Sequence, residues 1–394
     1  MSVHDPIVIV SASRTPMGGF MGMFSETHAT ELGATAIADA VKKSGLAVNS
    51  IDEVIMGCVL PAGLGQAPAR QAMLKAGLNL GTGATTINKV CGSGLKAAMF
   101  AHDLIKSGSI NVAIAGGMEN MSAAPYFLPK ARGGFRMGHG EIKDHMMADG
   151  LEDAYENKAM GCFAQATAND YAITREQMDA FAINSLQKAQ SAIETGAFHA
   201  EITPVIVKTR KGDVEFSIDE QPGNAKIDKI PALRPAFAKD GTITAANSSS
   251  ISDGAAALTL MKESEATAKG LTPLCRIVAH ATHSQKPAEF TIAPVGAMNS
   301  VLEKAGWSKD SVDLWEINEA FAMVTMLAIN EMGLDSAKVN VNGGACALGH
   351  PIGASGARIL VTLIHALKNR GLKTGVASLC IGGGEAVAMA IETI

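Results

Sequence analysis

The chain has 394 residues, of which 47% are hydrophobic and 18% charged, and its formal net charge at pH 7 is −5. This composition is typical of a folded globular protein of two or three domains and argues against disorder. The mildly acidic balance gives no reason to expect nucleic acid as a partner. No stretch approaches the ~20 apolar residues that cross a bilayer, and no signal peptide is recognisable, so we expect no membrane association.

Six cysteines are spread along the chain, and no two of them have the C-x-x-C spacing of a redox or zinc pair. No histidine cluster accompanies them in the sequence, so we predict no metal site. Their small number fits a reducing compartment, and we expect the protein to be cytoplasmic. They are Cys58, Cys91, Cys162, Cys275, Cys346 and Cys380.

Short β-branched runs alternate with helical patterns in the first part of the chain. Strands are predicted at residues 7–10, 54–56 and 111–115, and an amphipathic helix at 30–43. This alternation predicts an α/β fold with a buried, largely parallel sheet.

Cys91 stands at the predicted first position of a further helix, whose apolar residues recur at helical spacing from Leu95 to Ile105. A helix N-terminus carries partial positive charge and unpaired N–H groups, and both stabilise a thiolate. We therefore expect the pKa of Cys91 to lie below the ~8.5 of a free cysteine, which suits covalent catalysis. The alternative is that Cys91, like most lone cysteines, is a small buried hydrophobe.

Residues 119–250 have no counterpart elsewhere in the chain. A loop rich in glycine, proline, methionine and arginine is predicted at 125–140, an amphipathic helix at 175–195 and a hairpin at 205–218. The simplest interpretation is an insertion that carries a lid or a binding surface.

The two ends of the chain share a weak internal repeat. Cys-Gly-Ser-Gly at 91–94 opens a helix, and the strand after it begins 19 residues beyond Ser93. Gly-Ala-Ser-Gly at 353–356 also opens a helix, and its strand begins 21 residues beyond Ser355. The pattern indicates two similar α/β halves, and the alternative is a chance similarity of glycine-rich turns.

Reactive side chains occur beside glycines in four segments that lie far apart in sequence. A cysteine with a distant histidine is a candidate nucleophile–base pair, and His350 lies in a Gly-His-Pro turn that would fix its ring. On that segment alone, a structural turn histidine is an equal alternative. Two thiols in one site predict two tasks, attack on a carbonyl and transfer of a proton. The segments are that of Cys91 and residues 315–322, 342–351 and 379–384.

These four segments resemble the active-site signatures of the thiolase family, in the family's order and spacing. They read Cys-Gly-Ser-Gly from residue 91, Asn-Glu-Ala-Phe from 318, Gly-His-Pro-Ile-Gly-Ala-Ser-Gly from 349 and Cys-Ile-Gly-Gly-Gly from 380. The similarity extends from Ser11 to the C-terminus. Within the family the chain is similar to the acetyl-CoA C-acetyltransferases.

The resemblance implies a thiolase-like α/β fold. Two similar halves would each hold a mixed five-stranded sheet, in a layered α-β-α-β-α arrangement, with an added loop domain. The expected boundaries are 1–118 with 251–271 for the first half, 119–250 for the inserted loop domain and 272–394 for the second half.

The resemblance also implies a role for each matching residue. Cys91 would attack a thioester and carry the acyl group, and His350 would accept its proton and later contribute to an oxyanion hole. Cys380 would move the proton at the α-carbon of a second acetyl-CoA. Asn318 would hold a water in one oxyanion hole, and the backbone N–H of Gly382 would donate in another. The products would be acetoacetyl-CoA and CoA, and the reaction would be reversible.

The expected partners are acetyl-CoA, acetoacetyl-CoA, CoA and further copies of the chain in a homotetramer. No tightly bound cofactor and no metal are implied, although some relatives respond to potassium. The residues expected to contact coenzyme A are Leu151, Met160, Lys226, Lys229, Ala245, Ser249, Ala320 and Phe321.

Three positions depart from the family pattern. Ala159 replaces a histidine common in acetyl-specific relatives, an expected arginine is absent near Pro222, and Cys346 replaces an aliphatic residue. Lys226 or Lys229 would have to serve the nucleotide portion of CoA, without the bidentate fork of arginine.

Three alternatives stay open. The first is a 3-ketoacyl-CoA thiolase of broader chain length. The second is a decarboxylating ketoacyl synthase, which typically uses two histidines; this chain has Asn318 and Cys380 with His350, which argues against it. The third is a catalytically inactive acyl-CoA-binding protein.

Overall fold

A computed structural model describes residues 5–394, and one mixed sheet runs through it. The strands are β1 (Ile7–Arg14), β2 (Gly18–Gly19), β3 (Glu53–Gly57), β4 (Gly83–Ile87), β5 (Val112–Asn120), β6 (Tyr126–Phe127), β7 (Lys143–Asp144), β8 (Val205–Thr209), β9 (Gly212–Phe216), β10 (Ser252–Lys262), β11 (Cys275–Ser284), β12 (Leu314–Ile317), β13 (Thr374–Ile381) and β14 (Glu385–Thr393). The helices are α1 (Ala29–Ser44), α2 (Pro68–Lys75), α3 (Ser93–Lys106), α4 (Met160–Asp170), α5 (Arg175–Glu194), α6 (Glu220–Asn224), α7 (Glu263–Ala268), α8 (Ala293–Ala305), α9 (Ala322–Met332), α10 (Ala345–Leu348) and α11 (Ile352–Arg370).

The strand order repeats itself and confirms two similar α/β halves. In the first half the order is β4-β3-β5-β10-β1, with two parallel pairs followed by two antiparallel pairs. In the second half β12, β13, β14 and β11 follow the same sequence of pair types, and a parallel bridge from Trp315 to Val339 stands in the place of the fifth strand.

The sheet differs from the sequence prediction in two respects. It is not largely parallel, because β10 and β14 return antiparallel beside β5 and β13. The five strands of the first half and the four of the second also form one continuous sheet, since β1 pairs with β11 through Val8–Arg276 and Ile9–Cys275. Edge pairing between distant strands leaves no local pattern in a sequence.

Five layers result from the way the helices cover this sheet. Helices α3 and α11 lie between the two halves and share one apolar core with strands of both. Helices α1 and α2 cover the outer face of the first half, and α8 and α9 cover that of the second. Helix α11 is apolar around most of its circumference, as expected of a central helix.

Helices α3 and α11 pack backbone against backbone near their N-terminal ends. A Cβ atom on Gly94 would lie 2.6 Å from the backbone nitrogen of Ala357. A Cβ atom on Gly356 would in turn lie closer than 3.0 Å to the backbone nitrogen of Leu95. Only glycine permits this approach. The loops that precede the two helices are therefore held side by side.

The segment between β5 and β10 contains α5 and the β8–β9 hairpin, as the sequence predicted, and also α4, which it did not predict. Helix α5 begins with a capping box at Thr174. Buried Arg14 of β1 ties this segment to the first half, through Asp219 at 2.7 Å and Glu201 at 2.5 Å. Among the described residues, no helix combines the length and the apolar character that crossing a membrane requires.

Replacing Gly356 with alanine tests the helix contact. The new methyl group meets the backbone of α3, which cannot move aside cheaply, so Gly356→Ala is expected to lower stability by about 1–3 kcal/mol. The measurement is the midpoint of denaturant unfolding. Gly133→Ala is the control, because a Cβ there meets nothing within 4 Å. Equal midpoints for the two variants would contradict the close packing.

Candidate active site

A cavity of about 510 Å³ opens between the two halves and the inserted segment. Its inner end is formed by the loops before α3 and α11 and by the β13–β14 turn. Its walls are mostly apolar. The lining residues include Val90, Cys91, Leu151, Ala159, Met160, Phe237, Ala245, Ser249, Phe290, Ala320, Phe321, His350, Ile352, Cys380 and Gly382.

The loop that carries Cys91 is held in an unusual backbone conformation. Val90 has φ of +46°, a left-handed conformation that is costly for a β-branched residue. Ser93 stabilises it, since its Oγ donates to the carbonyl of Val90 at 2.7 Å and accepts from the N–H of Lys89 at 2.8 Å. Helix α3 begins at Ser93, two residues later than predicted, so Cys91 precedes the helix.

The environment of Cys91 corrects the sequence expectation of a low pKa. Burial raises the pKa of the Cys91 thiol to about 11, because a thiolate would lose its hydration. The backbone N–H groups of Gly382 and of Cys91 itself hydrogen-bond toward the sulfur and limit the rise. The resting group is therefore a neutral thiol, with two N–H donors directed at the same region.

His350 presents an unprotonated ring nitrogen. Its Nδ1 lies 2.5 Å from Oγ of Ser355, which itself donates to the carbonyl of Pro351 at 2.8 Å. The serine proton is thus engaged, so Nδ1–H donates to Ser355 and Nε2 carries the lone pair. Nε2 is buried without a hydrogen-bond partner. Burial, with Arg358 nearby, lowers the pKa of His350 to about 3, so the ring is neutral.

Asn318 stands behind His350 rather than on the cavity wall. Its Nδ2 is 3.4 Å from Nδ1 of His350, and its Oδ1 accepts from Nη2 of Arg358 at 3.4 Å. The position of Asn318 after β12 is set by its N–H, which donates to the carbonyl of Ser378 on β13. Sequence reasoning identified Asn318, placed Ser355 only at the start of a helix, and did not identify Arg358.

Cys380 lies near the end of β13 and is buried. Burial, together with the proximity of Cys91, raises the pKa of the Cys380 thiol well above its ordinary value. The turn that follows contains Gly383 and Gly384 at φ of +92° and +86°, which favour glycine. An ion pair of 2.5 Å from Lys89 to Glu385 joins this turn to the Cys91 loop.

Glu119 is a further residue whose contribution sequence reasoning missed. Its buried carboxylate accepts hydrogen bonds from the backbone N–H groups of Val59, Leu60 and Gly353, at 2.8–3.1 Å. Burial raises the pKa of Glu119 to about 7. The contact with Gly353 fixes the start of α11, just after His350.

Six of the eight residues predicted to contact coenzyme A line the cavity. Lys226 and Lys229 do not, because both are exposed, Lys226 just before the short 3₁₀ helix Ile227–Ala232 and Lys229 within it. Any contact of theirs with a nucleotide stays a prediction. The six lining residues are Leu151, Met160, Ala245, Ser249, Ala320 and Phe321.

The three positions that depart from the family pattern differ in where they lie relative to the cavity. Ala159 lines the cavity at the start of α4. Pro222 is buried, and its carbonyl accepts from Gln190. Cys346 packs against the apolar cluster that contains Cys380, with its thiol directed at the carbonyl of Glu319 at 3.7 Å.

Comparison with known proteins shows the family to which this chain belongs. The thiolase N-terminal domain matches residues 7–264, and the thiolase C-terminal domain matches residues 271–393. The chain belongs to the thiolase family.

Relatives of this thiolase include an acetyl-CoA acetyltransferase of Escherichia coli, 52% identical over 98% of this chain and 99% of the relative. One from Pseudomonas aeruginosa is 51% identical over 98% of each chain. The crystal structure of the Bacillus anthracis acetyl-CoA acetyltransferase superposes with a TM-score of 0.97, at 43% identity and full coverage of both chains. That of Acat5 thiolase from Ascaris suum in complex with coenzyme A gives 0.93, at 42% identity, covering 99% of this chain and all of the other.

The protonation state of Cys91 can be measured by alkylation. Because its pKa is raised to about 11, the rate with iodoacetamide is expected to rise about tenfold per pH unit from pH 7 to 9, without a plateau. Mass spectrometry of the Cys91 peptide follows the reaction, and free glutathione is the reference thiol. A plateau below pH 8 would show that the helix N-terminus, rather than burial, sets this pKa.

Proposed function

We propose that the chain is an acetyl-CoA C-acetyltransferase, which condenses two acetyl-CoA molecules to acetoacetyl-CoA and CoA through an acetyl group on Cys91. The chain is a thiolase, and its relatives at about half identity over nearly the whole length are acetyl-CoA acetyltransferases. The observation that carries the proposal is the convergence of two thiols and a neutral imidazole on one largely apolar cavity. One thiol carries the acyl group and the other moves a proton.

In the first half-reaction Cys91 attacks the thioester carbon of acetyl-CoA. Its proton passes to Nε2 of His350, whose lone pair is free, as the sulfur–carbon bond forms. The N–H groups of Cys91 and Gly382 receive the negative charge that develops on the carbonyl oxygen, and losing one such donor typically costs about 3–4 kcal/mol of barrier. When the bond to CoA breaks, the departing sulfur takes the proton from His350.

In the second half-reaction Nε2 of His350 takes the proton of the Cys380 thiol, and the resulting thiolate removes a proton from the methyl carbon of a second acetyl-CoA. The high pKa of this thiol makes its thiolate a strong base, which a weakly acidic C–H group requires. The carbanion attacks the acetyl carbon on Cys91. As the Cys91 sulfur leaves, it takes the proton from Nε2 of His350, and Cys380 keeps the proton that it removed, so both thiols and the neutral imidazole are restored. In this proposal the protonated Nε2 of His350 and a water held by Asn318 donate hydrogen bonds to the enolate oxygen.

We assign substrate binding to the apolar walls of the cavity. Leu151, Met160 and Phe321 offer apolar surface to the pantetheine arm, and Ser249 offers a hydroxyl near the backbone of the 247–251 loop. The relative from Ascaris suum was solved with coenzyme A, which supports CoA thioesters as substrates here.

The oligomer and the compartment are also proposed. Segment 126–142 exposes several large apolar side chains, Tyr126, Leu128, Phe135, Met137 and Ile142. Such a patch supports burial against other copies in a homotetramer, which light scattering measures.

The six cysteines are unpaired, which supports a reducing compartment such as the cytoplasm, and fractionation of the source cells tests it.

Serine variants of the two thiols separate the half-reactions. With acetyl-CoA alone, Cys91→Ser is expected to form no covalent adduct. Cys380→Ser is expected to acquire one acetyl group but to condense about 10²–10⁴-fold more slowly, because it lacks the base. Intact mass and coupled condensation assays are the measurements, and Cys162→Ser is the control. Undiminished acetylation of Cys91→Ser, or normal condensation by Cys380→Ser, would refute the assigned roles.

The acyl-chain preference follows from the space beside Cys380. The Met160 side chain closes this region, since its Cε and Sδ lie 3.7 and 3.8 Å from a Cβ built on Gly382. Thiolysis is therefore expected to favour acetoacetyl-CoA over 3-ketooctanoyl-CoA by more than tenfold in kcat/KM, and Met160→Ala is expected to narrow the difference.

Equal activity of the wild type on both substrates would instead indicate a 3-ketoacyl-CoA thiolase of broad chain length. The acyltransferase chemistry would then stand and only the chain-length assignment would fall. The same assay in potassium and sodium buffers tests potassium activation, which rests on the family resemblance.

A further inference from the structure

Two histidines and an aspartate meet at the protein surface between α3 and β11, apart from the cavity. Nδ1 of His102 lies 2.9 Å from Oδ1 of Asp103, and Nε2 of His280 lies 3.0 Å from the same oxygen. The two ring nitrogens are 3.2 Å apart. The three atoms therefore form a nearly equilateral triangle. Within residues 5–394 this is the one such group of potential metal ligands.

The dimensions of this triangle suit a transition-metal ion. Zinc binds histidine nitrogen at about 2.0–2.1 Å and carboxylate oxygen at about 2.0–2.2 Å, which puts neighbouring ligands of a tetrahedron about 3.3 Å apart. The observed separations are smaller by only a few tenths of an ångström. We propose that His102, Asp103 and His280 bind one Zn²⁺ ion, with the fourth position open to water.

The supporting elements hold the ligands near this arrangement. His102 is almost buried on α3, and its ring meets that of His280 edge to face at a centroid distance of 4.9 Å. His280 is fixed on β11, whose strand pairs with β14 along its whole length. The side chain of Asp103 is 56% exposed, which leaves a path for the ion. Ligands on a helix and a strand lose little freedom when they bind.

The ligand chemistry selects the kind of ion. Two imidazoles and one carboxylate suit zinc and its neighbours, whereas Mg²⁺ and Ca²⁺ prefer oxygen ligands. A cationic group lies close by, since Nζ of Lys304 donates to the backbone carbonyl of His280 at 3.0 Å. Its positive charge repels the metal ion, so we expect a modest affinity for zinc.

This site would connect the two halves of the fold. Helix α3 follows the Cys91 loop in the first half, and β11 belongs to the second half. A metal bound by both would oppose their separation, and it would stabilise the folded state because the ligands are distant in the unfolded chain. The sequence did not predict it, since 177 residues separate Asp103 from His280.

Titration of the intact protein with Zn²⁺ and Co²⁺ tests the proposal. One ion per chain is expected to bind, to raise the thermal unfolding midpoint and, as Co²⁺, to give d–d absorption without a sulfur-to-metal charge-transfer band. His280→Gln and Asp103→Asn are each expected to weaken binding at least tenfold. His283→Gln on the same strand is the control, because His283 lies outside the triangle.

The experiment distinguishes this site from the thiols of the cavity, since cysteine sulfur is also a common zinc ligand. A charge-transfer band that disappears in Cys91→Ser would assign the ion to the catalytic cavity and overturn the proposal. Unchanged affinity in both His280→Gln and Asp103→Asn would overturn it as well, and would leave the three residues as a hydrogen-bonded surface cluster.

Discussion

The contact between the backbones of α3 and α11 is the constraint on which the rest of the structure depends. Gly94 is the second residue of α3 and Gly356 is the fifth of α11, and these helices start directly after the Cys91 and His350 loops. Any side chain at either position would push the helices apart and move the thiol away from the imidazole. Since reacting groups need placement to well under 1 Å, the packing of the core sets the geometry of the chemistry.

Burial is the second constraint on the site, and it favours the neutral form of every reactive group. It raises the pKa of both thiols and lowers that of His350, so all three are neutral at rest. A pre-formed thiolate–imidazolium pair would leave two charges in an apolar cavity, at a substantial desolvation cost. In the proposed mechanism charge forms only as the proton moves, and the backbone N–H groups of Cys91 and Gly382 are placed to stabilise it on the substrate oxygen.

Local sequence patterns predicted many of the helices and strands and the four reactive segments, because helical spacing and glycine-flanked motifs can be recognised within a few residues. These patterns also predicted the long helices α1 and α5 and the two similar halves. The pKa of Cys91 did not, since the helix N-terminus is visible in sequence whereas burial by distant segments is not. The pairing of β1 with β11 and the orienting contacts of Ser355 and Arg358 also depend on residues brought together only by folding.

The two halves differ most where β5 and β13 end, and this difference explains why the site is asymmetric. After β13 the chain turns within three glycines into β14. After β5 the same connection, to β10, is replaced by the whole inserted segment, from 121 to 251. The tight turn keeps Cys380 and the N–H of Gly382 at the inner end of the cavity, while the insertion extends its walls outward. A duplicated fold thereby gains both a fixed catalytic end and a long binding channel from one connection.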